Sequence, residues 1–328
     1  MKKRVFSGIK PSGSPQLGNY LGAIRRWAAE QDQYDNIFCV VDLHAITVAI
    51  DPLELKKNTR ELAGLLLASG IDPERSILFQ QSHVPEHSEL AWLLNCYIPM
   101  GWMLRMTQFK EKSQNKNSEQ VSVGLFDYPA LMAADILLYD THAVPVGDDQ
   151  KQHVELTRDV AQRFNGLYGE TFVVPEPVVG ATGARIMGLQ DPTAKMSKSE
   201  GNEGQSIGML DAPGVIRKKI MRATTDSQRD IVFDESRPGI SNLLTIYQTI
   251  TGETRQAIEG KFEGKGYGDF KKELAELVVE CLRPVQERYA EITADPGYLD
   301  EILKTGADRA QPIAAATLDR VRRKIGLA

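Results

Sequence analysis

The sequence predicts an α/β protein: a parallel sheet with helices on its faces, followed by an all-helical region. Two observations predict it. Over the first half, short apolar runs alternate with amphipathic segments, the pattern of strands joined by helical crossovers. After about Gly188 strand-like runs cease while helical periodicity continues.

Taken in order, Arg4–Gly8 reads as a first strand, and the loop Ile9–Leu17 carries Pro11, Gly13 and Pro15. A helix is expected from Gly18 to about Gln33. Ile37–Val41 is a continuous apolar run of strand length, as a buried parallel strand should be. Asp51-Pro52 opens the next helix, with proline in the first turn, where a missing N–H costs nothing. That helix runs to Ser69-Gly70, and the strand Ser76–Gln80 follows. Residues Lys110–Ser122 are polar and aperiodic and read as a mobile surface loop. A helix from Leu125 to about Tyr139, a strand at Ala143–Val146 and a helix from Gln150 to Phe164 complete the alternation. Beyond Gly188, residues 211–223, 239–251, 268–293 and 306–326 look helical. In the last of these, Ala310, Ile313, Ala314, Thr317, Leu318, Val321 and Ile325 share a face, although Pro312 makes its start ambiguous.

Composition sets the outer limits. With 328 residues, 42% of them hydrophobic, the chain can bury a large core. No apolar run approaches the ~20 residues that a membrane crossing needs, and the apolar part of the N-terminus is too short for a signal peptide. Cytoplasmic residence is therefore expected. Cys39, Cys96 and Cys281 form no CxxC pair, which argues against structural zinc, and Cys39 and Cys96 read as small core residues. His83 and His87 have a chelating i, i+4 spacing, but Pro85 between them spoils the helix, so no metal site is expected. A net charge of −5 leaves RNA open, because RNA contact depends on a local basic face. Two such faces exist, Arg217, Lys218, Lys219 and Arg222, and Arg320, Arg322, Arg323 and Lys324, each of which could equally be a solvated helix side.

Ligands of open parallel sheets bind beyond the carboxyl ends of the strands. The loops after Gly8, Val41 and Val146 are therefore the places to look for chemistry. Lys195-Met196-Ser197-Lys198-Ser199, followed by Gly201-Asn202, suits a loop closing over phosphates. Nucleotidyl transfer needs mobile positive charge and hydroxyl donors where the leaving pyrophosphate gathers negative charge. Pro11–Gly22 is a strand–loop–helix joint whose backbone N–H groups can meet an anion, and Gly18 and Gly22 would leave a smooth groove for a flat adenine.

Together these segments resemble the HIGH and KMSKS motifs of class I aminoacyl-tRNA synthetases. The resemblance is closest to the bacterial tryptophanyl-tRNA synthetases and covers nearly the whole chain. Phe6–Gly13, Val41–Thr47, Gly70–Pro73, Met132–Leu137, Val146–His153 and Lys195–Ser199 all match. The resemblance implies a Rossmann-type catalytic domain over 1–188 that includes the interface of a homodimer. It assigns the KMSKS loop and a helical anticodon-recognition domain to 189–328, with the last helix free to pack back on the catalytic part. It implies that L-tryptophan and ATP, with Mg²⁺ held mainly by the phosphates, give tryptophanyl-adenylate, from which tRNA(Trp) is esterified.

By the same resemblance Asp135 accepts from the indole N–H, a donor-only group facing an acceptor-only one. Met132 packs on the ring, and Phe6, Gly8, His44, Val144 and Val146 line the pocket. Tyr128 and Gln150 hold the α-amino group. Lys112, Lys195 and Lys198 reach ATP phosphates, with Met196 and Ser197 beside them. Ser12, Gly18, Asn19, Gly22 and Gly147 cradle ATP, with Asp149 and Ile186 near ribose and adenine. From its own surroundings, Asp135 lies within Leu131–Leu138, so its carboxylate is expected to be buried and to need a partner. Two positions depart from the family pattern. Gln16 stands where Thr or His is usual, and Lys10, counted among the ATP contacts, stands where many relatives have Gln; a cation there attracts carboxylate but repels ammonium. Tyrosyl-tRNA synthetase, a small-molecule nucleotidyltransferase of the same superfamily and a non-charging paralogue are the alternatives.

Overall fold

In the computed structural model the described residues are 2–113, 121–147, 150–179, 185–196 and 204–328; the side chains of 111–113 and 179 are not described. Five strands, β1 (Arg4–Ile9), β2 (Asp35–Val40), β3 (Ile77–Gln80), β4 (Ala143–Val146) and β5 (Glu176–Val179), form one sheet in the order β3-β2-β1-β4-β5. Every neighbouring pair is parallel. The chain winds outward in one direction through β2 and β3, then returns to the other side of β1. The order reverses between β1 and β4, and a crevice belongs at that switch point. β1 and β2 pair along all six residues, whereas β1 meets β4 only at Val5↔Ala143, near the amino ends.

Period-two alternation sorts the sheet residues onto two cores. From β2, Phe38 and Val40 enter one hydrophobic cluster, and Ile37 and Cys39 enter the other. The first cluster joins α4 (Pro52–Ala68) to the helical half: α10 (Pro213–Met221), α11 (Pro238–Thr251), α12 (Arg255–Phe262) and α13 (Tyr267–Ala294). The second buries α5 (Glu86–Asn95), α8 (Val123–Leu137), α9 (Lys151–Tyr168) and one face of α14 (Pro296–Ile325). Asp51 caps α4 by accepting from Leu53 and Glu54 N–H groups at 2.9 and 3.0 Å, and Pro52 takes the first turn as expected.

The expected strands and long helices are present, with instructive differences. β5 has no sequence signature because prolines 175 and 177 disguise it; an edge strand tolerates them since one side needs no N–H. The helix after the first loop is α1 (Leu17–Asn19), a π turn (Tyr20–Ile24) and α2 (Arg25–Ala29), ending four residues before Gln33. Short α3 (Asp42–Ala45), α6 (Met100–Met103) and α7 (Thr107–Ser113) were not foreseen, nor were α5 and α12. α7 corrects the start of the expected surface loop, since Lys110–Ser113 are helical; Phe109 anchors the turn, edge-on to Phe126 at 5.1 Å. Residues 114–120 lie outside the described residues.

α14 begins ten residues before the expected start at 306. Asp295 caps it through Gly297 N–H, and Pro312 is carried inside it. Of the expected face, Ala310, Ala314, Thr317, Leu318 and Val321 are buried, while Ile313 and Ile325 at its margins are half-buried. α14 crosses β3 so closely that a Cβ on Gly306 would fall 1.8 Å from the Leu78 carbonyl oxygen. Cys39 is buried, but Cys96 is exposed: it ends α5 on the outward face one turn after Trp92, itself 68% exposed. An apolar neighbourhood in sequence did not make it a core residue.

Candidate active site

The first feature lies beyond the carboxyl end of β1. Leu17 N–H donates to the Ile207 carbonyl at 2.8 Å, and Met209 N–H donates to Pro15 O at 3.0 Å. The stretch before α1 is thereby zipped antiparallel to the segment that follows the lysine loop, with Gln16 opposite Gly208. The lysine loop is tied on its near side too. Met187 bridges Lys195, and Met196 N–H donates to Ile186 O at 3.1 Å. Asn242 on α11 grips this turn, accepting from Met187 N–H at 2.8 Å and donating to Met187 O at 2.9 Å.

These ties bring the two distant motifs into contact. A Cβ on Gly18 would lie 3.6 Å from the Cβ atoms of both Ile186 and Met196. A Cβ there would be in ordinary van der Waals contact, so Gly18 packs its bare backbone directly against two buried apolar side chains, and the start of the first helix and the lysine segment meet without a gap. Lys10, Ser12, Asn19 and Lys195 are exposed around this contact, and Gly22 and Gly147 are half-buried. Asn19 Oδ1 accepts from Gln16 N–H at 3.0 Å. Gln16 itself is buried, and among the described residues its Oε1 has no hydrogen-bond partner. Lys112 ends α7, and its side chain is not described; Asp149, Ser197 and Lys198 lie outside the described residues.

The second feature is a polar cluster beyond the carboxyl ends of β2 and β3, where α3, the turn after β3, α5 and α8 meet. Tyr128, Met132 and Asp135 follow one another on one face of α8 at i, i+4 and i+7. Asp135 is 1% exposed. Its Oδ2 accepts from His44 Nε2 at 2.7 Å; its Oδ1 accepts from Gln81 Nε2 and from His87 Nδ1, both at 2.6 Å. Burial alone would raise the Asp135 carboxyl, but the charge and hydrogen bond of His44, joined by His87, outweigh it and hold the group at about 2. Tyr128 meets the His44 ring edge-on at 6.1 Å and bonds His153 Nε2 through its hydroxyl at 2.8 Å. Phe6 lies buried on β1, stacked on Tyr139 at 5.7 Å. Gly8 ends the same strand with exposed backbone, and a Cβ there would press on Val41 at 3.1 Å. Val144 and Val146 are buried on β4 across the crevice, and Gln150 caps α9 beyond it.

The carboxylate thus has the partners its burial demanded, but two of them were not foreseen. His87, set aside when its spacing to His83 was read only as a metal pattern, faces Asp135 and Tyr139 with its two ring nitrogens. Asp135 and Tyr139 are four apart, a spacing that could have pointed to a shared partner. Gln81 carried no signal at all. The proposed basic faces are also partly committed. Arg217 forms a two-pronged pair with Glu276, and Lys219 binds Asp211. Arg322 pairs with Glu89 at 2.6 and 2.7 Å, and Arg320 reaches Asp140 and the Thr171 carbonyl, so α14 is pinned to the sheet's own helices.

A parallel sheet with this strand order, a glycine-bearing helix start packed on the lysine segment and a buried carboxylate held by three donors are features of a Rossmann-type nucleotide-binding enzyme. The family model of the class I tRNA synthetases for W and Y matches residues 1–283, and the chain belongs to that family. A tryptophan–tRNA ligase of Wolinella succinogenes is 59% identical over 327 residues, covering 100% of this chain and 99% of the relative. Among solved structures, the tryptophanyl-tRNA synthetase of Mycoplasma pneumoniae superposes with a TM-score of 0.91 at 40% identity, covering 100% of this chain and 99% of that one. The Campylobacter jejuni enzyme, complexed with ADP and tryptophan, gives 0.86 at 38% identity, covering 99% and 100%.

Proposed function

We propose that the chain is a tryptophan–tRNA ligase working in two steps. A carboxylate oxygen of tryptophan attacks the α-phosphorus of ATP, and pyrophosphate leaves. The terminal ribose hydroxyl of tRNA(Trp) then attacks the adenylate carbonyl, and AMP leaves. The observation that carries this reading is the buried Asp135 carboxylate, held by His44, Gln81 and His87 beyond the carboxyl ends of β2 and β3, in a chain that also packs Gly18 against Ile186 and Met196. An acceptor-only group there suits the donor-only indole nitrogen. The identity to tryptophan–tRNA ligases along the whole chain supports the same substrate.

In this reading Asp135 takes the indole N–H, with Met132, Phe6, Gly8, His44, Val144 and Val146 around the ring. Tyr128 and Gln150 receive the ammonium group. Gly18, Asn19, Gly22, Ser12 and Gly147 hold ATP, with Ile186 and Met196 against the adenine and Asp149 near the ribose. Lys195, Lys198 and Lys112 neutralise charge on the phosphates, and Gln16 and Lys10 stand at their edge. Mg²⁺, which dehydrates reluctantly, would be held mainly by the triphosphate and would supply charge neutralisation there. Positioning and charge stabilisation then do the catalytic work without a general base. Residues 1–188 form the catalytic part. Residues 189–328 supply the loop and read the anticodon of tRNA, in the cytoplasm where charging occurs. Trp92, Met100 and Leu104, exposed on consecutive helices, support pairing of two copies through this face.

ATP–pyrophosphate exchange with each of the twenty amino acids tests the assignment. Tryptophan is expected to be the one that supports exchange at low concentration. Exchange with tyrosine instead, or with none, overturns it. Light scattering of the pure protein, with Trp92→Asp beside it, tests the dimer: the parent is expected to be twice the mass of the variant.

A further inference from the structure

Asp135 is the one carboxylate among the described residues held by three side-chain donors from three separate elements: the short helix α3, the turn after β3, and α5. Each donor is oriented by a further contact. Gln81 Oε1 accepts from Leu43 N–H at 3.1 Å, which turns the amide so that its Nε2 must face Asp135. His87 is fully buried, with Nδ1 against Asp135 and Nε2 2.7 Å from the Tyr139 hydroxyl. An ionised carboxylate only accepts, so Nδ1 carries a hydrogen, and in the neutral ring Nε2 then accepts from the tyrosine hydroxyl. Burial pushes the Tyr139 hydroxyl well above its ordinary value, so it stays protonated and able to donate.

The consequence is an asymmetric carboxylate. Oδ1 receives two hydrogen bonds and is saturated; Oδ2 receives one, from His44, and keeps one acceptor position. Rotating the group to present Oδ1 instead would break two charge-assisted bonds at once. Resting on the reading of Asp135 as the indole acceptor, we propose that His87 and Gln81 are positioning residues for tryptophan selection, fixing Asp135 so that Oδ2 alone is offered to the ring N–H. Tyr139 sets the His87 tautomer and so completes the chain.

A purely structural role would affect all substrates alike, so the test compares two amino acids of one shape. The first is tryptophan; the second is its benzothiophene analogue, with sulfur in place of the ring N–H. ATP–pyrophosphate exchange gives kcat/KM for each, and their ratio measures how well the acceptor is aimed. His87→Leu and Gln81→Met are each expected to lower the ratio roughly tenfold, mainly through the KM for tryptophan, by loosening the aim of the acceptor. The analogue's own kcat/KM should stay within about twofold. His87→Asn, whose amide reaches the place of Nδ1, should recover most of the ratio, and Tyr139→Phe should give an intermediate loss. A ratio unchanged in Gln81→Met and Tyr139→Phe overturns the proposal even if His87→Leu does not fold. Equal losses for both amino acids overturn it as well. Asp135→Asn separates the two levels of inference. If it leaves the ratio intact, the reading of Asp135 fails and the proposal with it. If it collapses the ratio while the other variants do not, the proposal alone fails.

Discussion

At the scale of single residues, buried charge in this enzyme is held ionised by directed donors, and acid should undo that. Asp135 is held at about 2 against the cost of burial, by His44 and His87. Asp226 in the helical half is also held at about 2, first by its hydrogen bonds from Arg237 and then, against some burial, by the Tyr267 hydroxyl. Both groups titrate below the ordinary carboxylate value in the folded chain. The stability they contribute is therefore fully present above about pH 4 and is lost as pH falls toward 2. Melting temperature followed from pH 5 to pH 2 should drop, and Asp226→Asn should flatten that drop while lowering the plateau. In exchange assays Asp135→Asn should raise the KM for tryptophan by one to two orders of magnitude, consistent with a lost charge-assisted bond of about 1.5–3 kcal/mol. Residue types announced the carboxylate's need for partners but not their identity. His87 and Gln81 come from elements that the chain order separates from Asp135 by 48 and 54 positions.

At the scale of elements, caps and close approaches decide where helices start and how they sit. Asp51 and Pro52 marked α4 in the sequence because capping is a local matter, satisfied within four residues. Asp51→Ala should cost about 1 kcal/mol, read as a lower urea midpoint with unchanged slope. The other end of the chain was less legible. Gly306 shows no local reason for being glycine, yet it lets α14 rest directly on the backbone of β3. Gly306→Ala must push the helix away, and unfolding should show a loss of about 2–4 kcal/mol, beyond the gain that alanine brings inside an unconstrained helix. β5 was hidden for a related reason: prolines at 175 and 177 argue against a strand everywhere except at a sheet edge, and edges are not written in sequence.

At the scale of the whole molecule, the sheet order places the end of β1 beside the end of β4, and the chain after residue 186 returns to cover the same place. The contact of Gly18 with Ile186 and Met196 links segments that are about half the chain apart. Gly18→Val should push Ile186 and Met196 away from the helix start and raise the KM for ATP at least tenfold in exchange assays, while tryptophan binding measured without nucleotide stays within about twofold. α14 closes the molecule by packing on β3 and by pairing Arg320 and Arg322 with Asp140 and Glu89, so basic residues that resembled an RNA-facing stripe serve partly as internal ties.

By itself the sequence determined what depends on near neighbours: the strand and helix periods, the first-turn proline and cap of α4, the two motif segments, and a carboxylate set in an apolar run. The tertiary structure alone decided which distant groups meet. Hydrogen-bond partners such as His87 and Gln81, the seat of α14 on β3 and the packing of Met196 on Gly18 arise between elements far apart in the chain, and no local pattern encodes the direction in which a folded side chain finds its neighbour.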